Sequence, residues 1–301
     1  HWLWAQRVSA VDQEEHNSTL RAIFLYGVLL ATLIPVVQNV LAFLDRSLIT
    51  LAGMETYRAV FGGGQSWSDN LIAILLNGVA AWYFLTVLRG DWATLVNKDN
   101  FADIRRLYRY IWHLYGLLMS IFGVQQVLRF LLYIPSEMIG QISRDLLMNG
   151  LSLLIVGVPL WFVTWRTCQA AKLEPGEHES SLRLGVLYLL ALSGVAVVLS
   201  SAGIVLDVFL RWVLGVSVSL PELLREITGA LSIGLPLGTV WAYYGHWLQH
   251  DIGIVLDEQR RDGLRRFYYY VLSLAGLVTA FVGLSLLLSF IIDVVVGRQI
   301  W

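Results

Sequence analysis

Seven long apolar runs decide what this chain can fold into. They cover residues 22–44, 71–88, 107–133, 146–165, 184–213, 227–249 and 267–296. A helix needs roughly 20 apolar residues to cross the hydrocarbon core of a bilayer. Backbone polar groups in lipid find no water, so a spanning segment must satisfy them internally as a helix or a closed barrel. None of the runs alternates with the period of two that a barrel requires. The third, fifth and seventh runs exceed the minimum length and are expected to tilt or to project past the interface. Composition agrees. Of the 301 residues, 57% are hydrophobic and 14% charged, against about 25% charged in soluble domains.

The runs come with a repeated entry. Leu20-Arg21 precedes Tyr26, Ile104-Arg105 precedes Tyr110, Leu182-Arg183 precedes Tyr188, and Leu264-Arg265 precedes Tyr270, each Arg standing five residues before its Tyr. The entries recur roughly every 80 residues, a period that points to duplication of a structural unit. The even-numbered runs align as well. Asp69, Asp145 and Glu222 open them, and Ala81, Gly157 and Gly234 follow twelve residues later. Gly157-Val158-Pro159-Leu160 returns as Gly234-Leu235-Pro236-Leu237. A proline inside a helix frees a carbonyl and bends the axis, so bends are expected at Pro159 and Pro236.

Two helices per repeat keep every repeat in the same orientation, as in parallel-repeat membrane folds. The fold class is therefore all-α integral membrane, with about seven transmembrane helices in tandem two-helix parallel repeats. The repeats span residues 1–68, 69–144, 145–221 and 222–301. His1-Trp2-Leu3 recurs as His246-Trp247-Leu248 near the end of a later helix. The chain start is accordingly expected to be the end of a preceding membrane helix, which leaves repeat 1 without its first helix and makes the chain a fragment. The connections 1–21, 89–109, 166–183 and 260–266 hold two thirds of the 21 Lys and Arg. The positive-inside rule puts them in the cytoplasm, with the start of the chain inside and Trp301 outside.

Arg105-Arg106-Leu107-Tyr108-Arg109-Tyr110 and Arg265-Arg266-Phe267-Tyr268-Tyr269-Tyr270 resemble the RRLYxYL signature of the domain-of-unknown-function family 5671. This is a bacterial membrane family whose unit is often repeated within one chain. The first and third entries lack the double Arg: Arg21 is followed by Ala22 and Arg183 by Leu184. The resemblance implies a multi-pass protein of the bacterial inner membrane and carries over no catalytic residue.

The candidate sites follow from depth. Arg21, Arg105, Arg183 and Arg265 oppose the helix macrodipole in a first turn, so topology and anionic lipid headgroups are the expected reasons for them. Five residues are roughly 7.5 Å of helix. Tyr26, Tyr110, Tyr188 and Tyr270 are thereby placed near the headgroup boundary, as interface anchors. Nineteen residues beyond these Tyr stand Asp45, Arg129, Asp207 and Ser289, about 28 Å along the axis and so near the far boundary. Arg129 is expected to pair with Asp45 or Asp207, with Arg211 as the i, i+4 competitor for Asp207. Gln38, Asn39, Asn77, Gln125, Gln126 and Asn149 lie deeper. Such amides either hydrogen-bond between helices or line a polar path.

Other chemistry is thinly supported. His1, His16, His113, His178, His246 and His250 all fall on the cytoplasmic side, and a haem or metal site among them is one reading. No Cys, Asp or Glu cluster joins them at helical spacing, so no metal or cofactor is expected. The single Cys168 excludes an internal disulfide. A net charge of −1 with scattered basic residues gives no nucleic-acid face. No nucleophile, zinc-protease or phosphate-loop motif is present, so no enzyme is expected. The leading reading is a non-enzymatic structural or interaction component. Its partners are the lipid bilayer, with anionic lipids, and proteins that the sequence does not identify. A transporter or channel with a polar path between repeats, and a haem- or metal-binding redox protein, are the alternatives.

Overall fold

The computed structural model describes residues 2–62, 64–95, 99–134, 141–171, 181–213, 220–254 and 258–297. Among these the chain forms α1 (Trp2–Val11), α2 (Gln13–His16), α3 (Thr19–Leu51), a 3-10 turn (Thr56–Arg58), α4 (Trp67–Thr94), α5 (Asp99–Tyr133), α6 (Gln141–Ala170), α7 (Ser181–Val213), α8 (Leu220–Ile254) and α9 (Glu258–Gly297), with no strand. The protein is an all-α, multi-pass membrane chain. Six helices are long and apolar enough to cross a membrane, over Glu14–Leu51, Trp67–Thr94, Phe101–Tyr133, Arg144–Ala170, Gly185–Val213 and Tyr269–Ser289. The remaining expected crossing, α8, is 35 residues long. Its Pro236, Tyr243, Tyr244 and glycines dilute its apolarity, yet it packs alongside α7.

Local chemistry sets the helix ends. Ser18 caps α3 by accepting from Arg21 N. Ser66 and Asp69 form a reciprocal capping box at the start of α4, satisfying two amides that a helix start leaves open. The expected equivalence of Asp145 to Asp69 does not hold. α6 begins at Gln141, so its first turn contains no acidic residue, and Asp145 bonds Arg58 instead. α6 and α8 continue as helices through Pro159 and Pro236, as α3 does through Pro35.

The chain forms two compact units. The first comprises residues 1–127 and 140–171, the second residues 128–139 and 172–301. In the first, α3 packs on α4 and α6. Ala22, Leu25, Tyr26 and Leu29 of α3 form a core with Leu88, Leu95 and Phe101. Leu41, Met119 and Leu153 join α3, α5 and α6 in a second cluster. α5 and α6 approach until backbone meets backbone. A Cβ added to Gly116 would stand 2.6 Å from Trp161 N, one on Gly123 3.0 Å from Gly150 O, and one on Gly157 2.9 Å from Ser120 N. Partner numbers fall along α6 as they rise along α5, so the helices are antiparallel.

In the second unit α7 packs on α8 and, less extensively, on α9. The seam is of the same kind but shifted. A Cβ on Gly194 would lie 2.9 Å from Leu237 O and 2.5 Å from Trp241 Cβ, and one on Gly234 2.7 Å from Ser201 Cβ. Gly234 aligns with Gly157, which faces Ser120, but Ser201 aligns with Gly123. The register is displaced by about one helical turn. The cause lies in two residues: the Gly123–Gly150 contact has no counterpart, because Ser201 and Ile227 stand at those positions. The helices slide until Gly234 receives Ser201. An apolar groove of about 440 Å³ between α7 and α8 lies beside this contact, lined by Val198, Val205, Phe209 and Leu231 among others.

The tight helix pairs are thus an entry helix and the helix after it: α3–α4, α5–α6 and α7–α8. The repeat boundaries at 69, 145 and 222 fall between the members of each pair, which is the same period started one helix later. Glycine at the seam is expected to be irreplaceable, and a helical glycine in open space dispensable. Gly116→Ala should destabilise the detergent-solubilised protein by about 1–3 kcal/mol, seen as a lower melting temperature. Gly27→Ala, whose added Cβ meets nothing within 4 Å, should leave the melt unchanged or raise it slightly through helix propensity.

Candidate functional site

In the first unit, two sets of buried polar contacts stand at the two ends of α3. At the end where α3 begins, Arg21 is 7% exposed. Its Nε donates to Asp91 Oδ2 at 2.9 Å, and its Nη2 donates to Gln6 Oε1 of α1 at 3.1 Å. One turn further along α3, the Tyr26 hydroxyl accepts from Trp92 Nε1 at 3.0 Å. The Tyr26 ring lies 5.1 Å from that of Tyr108, and the Arg105 guanidinium sits 4.3 Å from the Trp92 ring centroid. The entry of α3 therefore docks onto Asp91-Trp92 in the last turn of α4. An ion pair removed from water repays its desolvation only when its geometry is good and its remaining donors are satisfied, and Gln6 supplies one of those contacts.

The other entries extend part of this pattern. Tyr110 and Tyr188 are buried at 6% exposure, like Tyr26 at 4%, and Tyr188 meets Phe267 edge to face at 6.0 Å. Three of the four Tyr expected at the headgroup boundary thus face protein. Tyr270 is 73% exposed. Arg183 is buried and Arg105 half-buried; the Arg265 side chain lies outside the described residues.

At the opposite end, Asp45 is fully buried. It accepts from Ser152 Oγ at 3.0 Å and from Phe61 N at 3.1 Å. Val60 N donates to Asn149 Oδ1 at 3.3 Å, and Arg58 pairs with Asp145 at 3.2 Å. Hydrogen bonds to Tyr57 and Asp145 raise the Arg58 pKa above its ordinary value, so its charge is permanent. The loop after α3 is folded back on the helix ends. Gly62, at φ +70°, makes this turn, and a Cβ there would lie 2.6 Å from Ala42 Cβ. Arg129 and Asp207, the other members of the expected ion pair, are engaged near themselves in sequence. Arg129 Nε donates to the Tyr133 hydroxyl at 3.0 Å, and Asp207 pairs with its competitor Arg211 at 2.6 Å.

Four of the six deep amides bond a neighbouring backbone or side chain, and Gln126 Oε1 is buried without a partner. Asn39 Nδ2 donates to Pro35 O and Asn77 Nδ2 to Ala73 O, each at 2.8 Å. Gln38 hydrogen-bonds Tyr115, and Asn149 holds the loop. Gln125 and Gln126 are half-buried, Gln126 lying against Gly150. His113 is fully buried and stacks on Trp165 at 4.9 Å, while His246 and His250 are exposed. His16 bonds Thr94. His1 and His178 lie outside the described residues. Among the described residues no group of three His, Cys, Asp or Glu is placed to hold a metal ion.

Sequence reasoning missed Asp91 and Trp92. It assigned them to a charged connection, whereas α4 carries them into the bundle. The available signal was an acidic residue, Asp91, directly after the apolar run that follows Arg21's own.

A family model described as Domain of unknown function (DUF5671) matches residues 1–88 and 106–239. No curated protein and no solved structure matches the chain. The matched stretches include the entries of α3 and α7 in full and that of α5 from Arg106. The fourth entry, Arg265 to Tyr270, lies outside them.

Breaking the buried ion pair from one side should be costly. Asp91→Asn leaves Arg21 buried without its counter-charge and is expected to cost about 3–5 kcal/mol, read as a lower melting temperature in detergent. Arg21→Met combined with Asp91→Leu should recover most of the loss. Equal damage from the single and double variants would show that packing, not charge, holds this end.

Proposed function

Because the chain belongs to the DUF5671 family, for which no activity is described, we propose from its geometry a non-enzymatic structural and interaction component of a bacterial inner membrane. Its entry end faces the cytoplasm. The observation that carries this reading is the use of the deep amides. Gln38, Asn39, Asn77 and Asn149 each bond a neighbouring backbone or side chain instead of converging on a shared lining, and a translocation path needs converging polar groups. The groove between α7 and α8 is apolar as well. The buried Arg21–Asp91 and Asp45–Ser152 contacts tie the two ends of α3 to neighbouring helices, which is the work of a scaffold. Basic residues at the entry end, among them the exposed Arg89 and half-buried Arg109, suit anionic lipid headgroups.

The test is permeability. Liposomes containing the purified protein are expected to release potassium, protons and a small neutral solute no faster than protein-free liposomes of the same lipid. A flux that appears with the protein and falls in Gln126→Leu or Asn149→Leu would replace the scaffold with a transporter or channel.

A further inference from the structure

Arg46 is a buried charge that no neighbouring carboxylate neutralises by contact. It is 8% exposed, and its Nε and Nη1 are enclosed without a hydrogen-bond partner. Asp45, next to it in α3, turns to Ser152 and to Phe61 N instead. The Arg46 guanidinium is aimed at the first turn of α4, its Cζ 5.9 Å from the centroid of the Trp67 ring. Phe43 holds that ring edge to face at 5.1 Å. One turn further along α4, Asn70 is fully buried, and both its Oδ1 and its Nδ2 lack a partner. All of these residues belong to the first compact unit.

The place is unfavourable for a lone cation. A helix start carries positive partial charge and favours anions. A buried charge without a partner is strongly destabilising. Asp69 stands near enough to sense Arg46, but its Oδ2 is held by Ser66 N in the capping box. Four buried polar atoms, three of them donors or part of a cation, therefore call for an outside group that is chiefly an acceptor.

Depth says which group is at hand. Arg46 stands 25 residues beyond Arg21 on the same helix, about 37 Å along its axis. The hydrocarbon core is about 30 Å thick, and about 40–45 Å with the headgroups. With Arg21 at one headgroup layer, Arg46 reaches the other. We propose that Arg46, with Asn70 one turn deeper, binds the phosphate group of a phospholipid headgroup in the leaflet opposite the entries. Guanidinium donors match phosphate oxygens, and the Asn70 amide supplies a donor and an acceptor for the polar groups attached to the phosphate. Nη2, the guanidinium nitrogen that is not enclosed, is where the phosphate arrives. The inference needs α3 to cross the membrane and does not need the scaffold reading, so solute flux through the protein would leave it standing.

The test is the melting temperature of the full chain in a neutral detergent, titrated in three arms. One arm adds phosphatidylglycerol, the second diacylglycerol with the same acyl chains, and the third inorganic phosphate against chloride of equal ionic strength. Phosphatidylglycerol is expected to raise the melt saturably and diacylglycerol to leave it unchanged. Arg46→Met should raise the midpoint concentration of the phosphatidylglycerol effect at least roughly tenfold. Its lipid-free melt should not fall, because an unneutralised buried charge has been removed. Asn70→Ala breaks no existing side-chain bond and should weaken the effect in the same direction; it decides the matter if Arg46→Met does not fold. Arg89 and Arg109 are present throughout, so lipid held at the entry end cancels in the comparison. A rise with inorganic phosphate that is also lost in Arg46→Met would support the phosphate site and give it a soluble ligand. No saturable rise with either phosphate compound, an equal rise with diacylglycerol, or a rise that both variants leave unchanged would overturn the proposal.

Discussion

Two helices that meet in lipid gain little from hiding apolar surface, because the lipid they leave is as apolar as the partner they find. What remains is dispersion between closely fitted atoms, and that contact weakens steeply with distance. The glycines of the seams supply the fit. Each removes a Cβ where the opposing backbone or Cβ stands within about 3 Å of the missing atom. The α5–α6 and α7–α8 pairs both depend on this, and the pairs in turn place the polar ends of the molecule. Among the described residues, one apolar cluster lies under the entry of α3 and another joins α3, α5 and α6.

Buried polarity has a restricted role in such a molecule. Arg21–Asp91 and Tyr26–Trp92 tie the start of α3 to the end of α4. Asp45–Ser152 and Arg58–Asp145 tie the other end of α3 and its loop to α6. Both sets lie toward the ends of α3, away from mid-membrane, where a buried charge costs most. Between them Asn39 and Asn77 fold back on their own helix, and Gln38 and Asn149 each bond one neighbour. These contacts hold helices in place.

The helices themselves were legible in the sequence because their length and apolarity are dictated by the bilayer, and the repeat was legible because Arg and Tyr recur with the same spacing. α8 shows the limit of that logic, since Pro236 and the Tyr243-Tyr244 pair lower its apolarity without changing its place beside α7. The partners of Arg21 and Asp45 were not legible. Asp91 is seventy residues from Arg21, and Ser152 is a hundred and seven from Asp45, and which side chain meets which is decided by helix rotation and register. Depth counting put Asp45, Arg129 and Asp207 at one level but says nothing of the direction each side chain takes. Tyr26, Tyr110 and Tyr188 read as headgroup anchors for the same reason. Their depth follows from spacing, and their burial follows from a neighbour that spacing cannot specify.

The register difference between the two seams is the sharpest consequence of this account, because repeat symmetry alone predicts identical contacts. Disulfide formation in membranes, with Cys168 replaced by Ser, tests it directly. Ser201→Cys with Gly234→Cys should cross-link readily. The repeat-equivalent pair in the first unit, Gly123→Cys with Gly157→Cys, should cross-link far more slowly than Ser120→Cys with Gly157→Cys. Readier cross-linking of Gly123→Cys than of Ser120→Cys to Gly157→Cys, or none between Ser201→Cys and Gly234→Cys, would contradict the claim that small-residue contacts set how these helices pair.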